Sequence, residues 1–279
     1  MPGTTLGTNA GQYADPGTCS VFVGPAAGRS TVGSDHSVIV GEIAGHDLAG
    51  SIYSTLVGPY AGQGLSDAPE VVALGSSAGR FASHADHGIF LGASAGYAAA
   101  NVDFTILLGY AAGRYVDGNT HSAIIGYAAG EYANGSNRMV SMGYHAGYSA
   151  SLAPQSVMIG DFAGAWAIGS LSSVMIGVEA GGVRKLDADT HIPSAHHVER
   201  GVYIGAGAGK NASETTDVVL IGTDTTAAVE VENSVAIGKG AAVTGSNQIV
   251  LGNGDVTEIV IGGVTVTKAQ LTALLDLLS

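Results

Sequence analysis

The sequence predicts an all-β protein, a parallel β-solenoid of mostly 17-residue coils closed by a short C-terminal helix. Three observations predict it. A glycine following an apolar tripeptide recurs at Gly7, Gly24, Gly41, Gly58, Gly75, Gly92, Gly109, Gly126, Gly143, Gly160 and Gly177, ten successive intervals of 17 residues. A short fixed period means one small unit stacked on itself. One and three residues before this anchor stand aliphatic, often β-branched residues, such as Val21 and Val23 or Ile89 and Leu91, which is the period-2 pattern of a strand. Three and four residues after it comes Ala-Gly, from Ala10-Gly11 to Ala180-Gly181, which marks close approach of two backbones.

Composition agrees. The chain has 279 residues, 44 of them glycine, with 46% hydrophobic and 12% charged residues. Low charge with abundant aliphatics argues against disorder, and glycine without a three-residue period excludes collagen. A net charge of −13 argues against nucleic acid and anionic membrane as partners, because both require clustered Lys and Arg. Cys19 is single, so no intrachain disulfide forms. No apolar run approaches the roughly 18 residues of a membrane helix, and no signal peptide opens the sequence.

Taken in order, residues 1–182 are a roll of 17-residue coils. Each coil is expected to hold the tripeptide strand, a second short strand over the Ala-Gly pair, and two turns rich in Gly, Pro, Asn and Asp. The flanking aliphatics are expected to fill the narrow interior. The middle of the tripeptide (Phe22, Ile39, Leu56, Phe90, Leu107, Ile124, Met158, Met175) is then expected to face outward. Strands apolar on both faces are covered on both faces, so this column predicts the interface of a parallel homo-oligomer. Residues 183–200 hold the one large insertion, and inserted segments in solenoids become surface loops. Residues 201–266 continue the roll in shortening coils, anchored at Gly205, Gly222, Gly238, Gly252 and Gly262. Residues 267–279 form a short helix with Leu271, Leu274, Leu275 and Leu278 on one face, too short to stand alone. Leu271 and Leu275 are assigned to the same interface.

The segments Ile125-Gly126-Tyr127-Ala128-Ala129-Gly130, Leu108-Gly109-Tyr110-Ala111-Ala112-Gly113 and Ser234-Val235-Ala236-Ile237-Gly238 resemble the repeats of trimeric adhesins. These are the heads of trimeric autotransporters and the β-roll shafts of bacteriophage tail fibres. The resemblance covers nearly the whole chain. It implies a homotrimer of left-handed parallel β-rolls, a non-enzymatic fibre or adhesin segment that attaches to a bacterial host surface. The implied partners are a bacterial surface glycan or protein and other virion tail proteins, and the implied location is the extracellular virion tail. The alternative location is the bacterial cell surface, as an autotransporter head. That family also carries a signal peptide, a coiled-coil stalk and a β-barrel anchor, none of which this sequence contains, and this favours the phage reading. The self-cleaving chaperone domain that ends many phage fibres is likewise missing. No binding motif of the family maps residue by residue.

Candidate receptor-binding residues are Lys185, Asp187, Asp189, His191, His196 and His197 of the insertion, together with Trp166. The alternative is a solvated loop without a partner. The His and Asp spacing there matches no metal-ligand frame, so no metal and no cofactor are assigned. His36, His87 and His121 all stand five residues before an anchor and read as an exposed polar ladder. Tyr13, Phe81, Tyr115, Tyr132 and Trp166 all stand six residues after one, in register to stack on sugar rings or to pack against a neighbouring subunit or turn. Gly205-Ala206-Gly207-Ala208-Gly209-Lys210 fails the spacing of a phosphate loop. No catalytic residues are assigned. The enzymatic alternative, a fibre-borne polysaccharide depolymerase, would rest on acids such as Asp224, Glu230 and Glu232. A third reading is a spacer whose recognition domain lies elsewhere.

Overall fold

A computed structural model describes residues 4–14, 20–33, 35–182, 197–210 and 212–277. Each apolar tripeptide is a three-residue strand, from Thr4–Leu6 and Val21–Val23 onward. The main sheet runs in chain order through fifteen parallel strands and ends at Ile249–Leu251. Register is constant: Phe22 pairs with Ile39, Leu107 with Ile124 and Ala236 with Val250. At about 4.8 Å per strand the column is about 67 Å long. The protein is therefore a parallel β-solenoid with one short C-terminal helix.

The second side of each coil differs from the expected short strand. Through the 17-residue coils it is reduced to a single residue eight after the anchor, in bridges such as Val32 to Ala49 and Asp117 to Asn134, and a two-residue strand appears only later, where Thr226–Ala227 pairs with Ala242–Val243. The Ala-Gly pair lies instead in turns, with Ala112 N–H donating to Gly109 O at 3.4 Å and Val116 N–H to Gly113 O at 3.3 Å. Between those turns the backbone repeatedly enters the left-handed region, at Ala111, Tyr115 and His121 in one coil. Non-glycine residues there cost about 1–2 kcal/mol each, so something must hold them. Stacking does. The N–H groups of Ala111, Tyr115 and His121 donate to the carbonyls of Ala93, Tyr97 and Asp103 one coil earlier, all at 2.9 Å. Of the amides between them, those of Ala112, Arg114 and Val116 bond within the turn and that of Gly113 bonds to Ala129 O of the next coil.

The interior corrects the expected facing of the strands. Ile39, Leu56, Phe90, Leu107, Ile124, Met158 and Met175 are fully buried and Phe22 nearly so, all inside their own chain. These middle residues fill the roll and are not available to a second copy. The outward positions are the flanks, including Val38, Val57, Leu74, Ile106, Leu108, Met142, Ile204, Ile221 and Ile237, all more than a third exposed. The physical reason is the narrowness of the roll. Ala112 and Ala129 close its opposite wall with no exposure, leaving room beneath each strand for only the middle of its three side chains. Volumes compensate between neighbours, as core packing requires: Ala73 lies under Phe90. At Ser141 the hydroxyl donates to Ala146 O at 2.6 Å beside Met158.

A buried hydroxyl column four residues before the anchors closes the corner. Ser54 N–H donates to Ser37 Oγ at 3.1 Å, Met139 N–H to Ser122 Oγ at 3.0 Å and Gln248 N–H to Ser234 Oγ at 3.0 Å. Each serine joins the start of one strand to the coil that follows.

The roll stops sooner than expected. Glu258–Ile261 does not join the sheet; it pairs antiparallel with Val264–Thr267. The helix Lys268–Asp276 follows directly. Lys185, Asp187, Asp189, His191 and His196 lie outside the described residues, as do Leu278 and the side chain of Leu275.

Candidate functional site

The fixed period places like positions of successive coils about 4.8 Å apart, so aromatic residues at one phase come into contact. The column six residues after the anchors is joined by residues at the fifth. Phe81, Tyr97, Tyr115, Tyr132, Tyr148 and Trp166 form an unbroken line, with ring centroids 5.9, 5.6, 5.3, 5.8 and 5.3 Å apart. Tyr115 and Tyr132 stack nearly parallel, while Tyr97 and Tyr148 stand roughly edge-on to their neighbours. A second line, one residue after the anchors, holds Tyr110, Tyr127 and Tyr144 in parallel stacks of 5.1 and 5.3 Å and ends at Phe162. Of these lines, sequence phase found Phe81, Tyr115, Tyr132 and Trp166. It missed Tyr97 and Tyr148, one position out of phase, and the second line, whose signal was the repeated Gly-Tyr at 109–110, 126–127 and 143–144.

His145 joins the two lines, 4.3 Å from Tyr144, 5.1 Å from Tyr148 and parallel to Phe162 at 5.3 Å. Burial lowers its pKa from the usual 6.5, opposed in part by Glu131. The sign follows from linkage: between the lowered folded value and 6.5 the unfolded chain binds more protons, so stability falls as pH drops below about 6.5. We expect a loss under about 1 kcal/mol for this partly exposed group, removed in His145→Phe and checked by thermal melts at pH 7 and pH 5.

Cations sit among the rings. The Arg114 guanidinium binds the carboxylate of Glu131, which is nearly buried, through its Nε at 2.7 Å and its terminal nitrogen, and lies 5.4 Å from the Tyr115 ring. This hydrogen bond raises the Arg114 pKa. Arg80 stands over the rings of Phe81, Tyr60 and Tyr97 at 4.7, 4.9 and 6.0 Å. Such cation–π contacts fix ring orientation as well as charge.

The histidines five residues before anchors are an aromatic ladder rather than a purely polar one. His36 stacks on Tyr53 at 5.0 Å, and Phe104 lies between His87 and His121 at 4.7 and 5.1 Å. His87 also contacts Asp86 at 2.9 Å and Glu70 at 3.1 Å.

Both aromatic lines end where the insertion leaves the roll. On its N-terminal side, a Cβ on Gly182 would meet the Phe162 carbonyl oxygen at 2.3 Å. On its C-terminal side, exposed His197 covers Gly169, where a Cβ would lie 2.4 Å from Nδ1. The ends of the insertion are thus seated on the coil that carries Phe162 and Trp166. Val198–Glu199 then re-enters the sheet beside Thr215.

The rest of the surface offers less. Asp224, Glu230 and Glu232 are exposed, strung along one coil and the start of the next strand. Among the described residues no three His, Cys, Asp or Glu side chains are grouped to hold a metal ion, and no helix is long and apolar enough to cross a membrane. Comparison with models of known protein families finds no match to this chain, and comparison with curated proteins finds none either.

Proposed function

We propose that three copies of this chain associate in parallel, as left-handed rolls, into a non-enzymatic fibre segment that attaches a virion tail to a bacterial surface glycan or protein. The observation that carries the association is the outward stripe of aliphatic flanks from Leu6 to Leu251. At roughly 60 Å² for each of its dozen exposed members, the stripe exceeds the ~300–600 Å² patch usual on a soluble monomer. It repeats once per coil, and a partner that covers it continuously needs the same axial repeat. Another copy in parallel register has it. The resemblance of Ser234–Gly238 and Leu108–Gly113 to trimeric adhesin repeats supports three copies and the attachment role. The same assembly on a bacterial cell, as an autotransporter head, is the second reading.

The receptor surface in this proposal is the end of the aromatic lines at Trp166, with His197 and the insertion residues Lys185, Asp187, Asp189, His191 and His196. Aromatic faces stack on the apolar faces of sugars, and the insertion would supply the polar contacts. The test is incubation of the purified protein with polysaccharides extracted from candidate host bacteria, following retention and the release of reducing ends. We expect retention without release, and at least ten-fold weaker retention in Trp166→Ala, about 1.4 kcal/mol. Release of reducing ends would replace this proposal with a depolymerase and direct attention to Asp224, Glu230 and Glu232. Retention unaffected by deleting residues 183–196 would remove the insertion from the site.

A further inference from the structure

We propose that the C-terminal hairpin and helix, Glu258–Asp276, are an assembly clamp that folds only against the same segment of other copies. The inference rests on the parallel association proposed above and assigns its locking element.

The segment is poorly supported by its own chain. Its two strands pair only with each other, and the helix lies against the second of them. An isolated two-stranded hairpin is marginal in water, and so is a helix shorter than about 12 residues. This helix has nine.

The segment also faces the wrong way for a monomer. Lys268, Ala269, Thr272, Ala273 and Asp276 turn toward the hairpin and line an open groove with Thr257, Glu258 and Thr267. Leu271 and Leu274 occupy the opposite face of the helix, and Leu277, just beyond its end, is 83% exposed. On the hairpin, Val260, Ile261 and Val264 are exposed by 60% or more. Every described side chain of the helix is exposed, so its leucines find no cover within their own chain.

The occupant is a second copy for two reasons. The apolar surface continues the outward stripe of the roll: exposure is 42% at Ile237 and 52% at Leu251, then 69% at Ile261. A second copy in parallel register that covers the stripe brings its own clamp beside this one. The area suffices as well. Six clamp side chains at roughly 100 Å² each, added to the stripe, give on the order of 1,300 Å² per copy, above the ~800 Å² per partner of a standard interface. Parallel copies bring identical leucine faces to one axis at one height.

The test uses the full chain, its Leu271→Asp/Leu274→Asp variant and a truncation ending at Thr257, each followed by light scattering through a dilution series. We expect the full chain to be oligomeric and both altered chains to dissociate at concentrations at least ten-fold higher. Hydrogen exchange should show the amides of residues 268–276 protected in the oligomer and unprotected in the double variant. Equal dissociation of all three would overturn the clamp and leave the association of the rolls standing. A monomeric full chain would overturn both, and protection of the helix in the dissociated monomer would overturn the clamp alone.

Discussion

Replacing Leu107 by aspartate is expected to destroy the roll around it, whereas the same change at Leu108 is expected to leave the chain folded and separate the copies. Leu107 has no exposure and Leu108 is 39% exposed, although the two are neighbours in one strand. A carboxylate at 107 would be buried among Ile124, Phe90 and Ala112 without a partner, costing at least about 4 kcal/mol. Because each coil leans only on its neighbours, the loss should spread along adjacent coils, and hydrogen exchange over residues 91–126 would report it. At 108 the monomer loses under about 1 kcal/mol, but in the assembly the new charges meet across a dry stripe. We expect dissociation about a hundred-fold easier, roughly 2.7 kcal/mol, measured by light scattering on dilution. Equal effects at the two positions would contradict the assigned facing.

The second large effect is expected one residue further on. Gly109 has φ of +132°, and a Cβ there would lie 2.3 Å from the carbonyl oxygen of Gly126. That oxygen belongs to the next glycine of the same stack, with Gly126 itself 2.2 Å from the Gly143 carbonyl by the same measure. Gly109→Ala therefore meets backbone that is fixed on both sides, and backbone strain is added to the clash. We expect at least about 3 kcal/mol of destabilisation, read by denaturant unfolding. Ala112→Gly, on the facing wall, should cost no more than about 1 kcal/mol, since it removes a methyl group without moving backbone.

The repeat was legible because glycine is irreplaceable at its anchor: the stack from Gly7 to Gly238 announces coil length, strand position and register. The facing of the strands was not, because both faces are aliphatic and period 2 cannot say which is inside. The distinguishing signal was variation in size. The buried column ranges from Ala73 to Phe90 and Tyr203, since neighbouring volumes compensate inside one chain, while the outward flanks stay within Val, Ile, Leu and Met over most coils. Tyr203 shows how specific such an inner site becomes: its hydroxyl meets Thr215 Oγ1 at 2.6 Å, and burial pushes its pKa up to about 12. The left-handed backbone at residues as unsuited to it as Ile43 escaped the sequence, because stacking hydrogen bonds override local preference. The continuation of the roll beyond Leu251 was read from Ile259-Val260-Ile261-Gly262, which mimics the repeat. The adjoining Gly262-Gly263 pair, with both φ values positive, makes a hairpin instead.

Of the candidate site, phase alone located Trp166 and three members of its aromatic line. The second line and the bridging His145 required knowing that positions one, two and five residues after the anchor share a surface. That follows from the turns of the coil and not from its period.

The association of rolls through their outward aliphatic stripe is tested most directly by the solution mass of the intact chain, measured by light scattering from micromolar concentration downward. The account predicts a species of three times the 27.6 kDa chain mass that persists on dilution. A stable monomer at micromolar concentration, with the aliphatic flanks open to solvent, would contradict it.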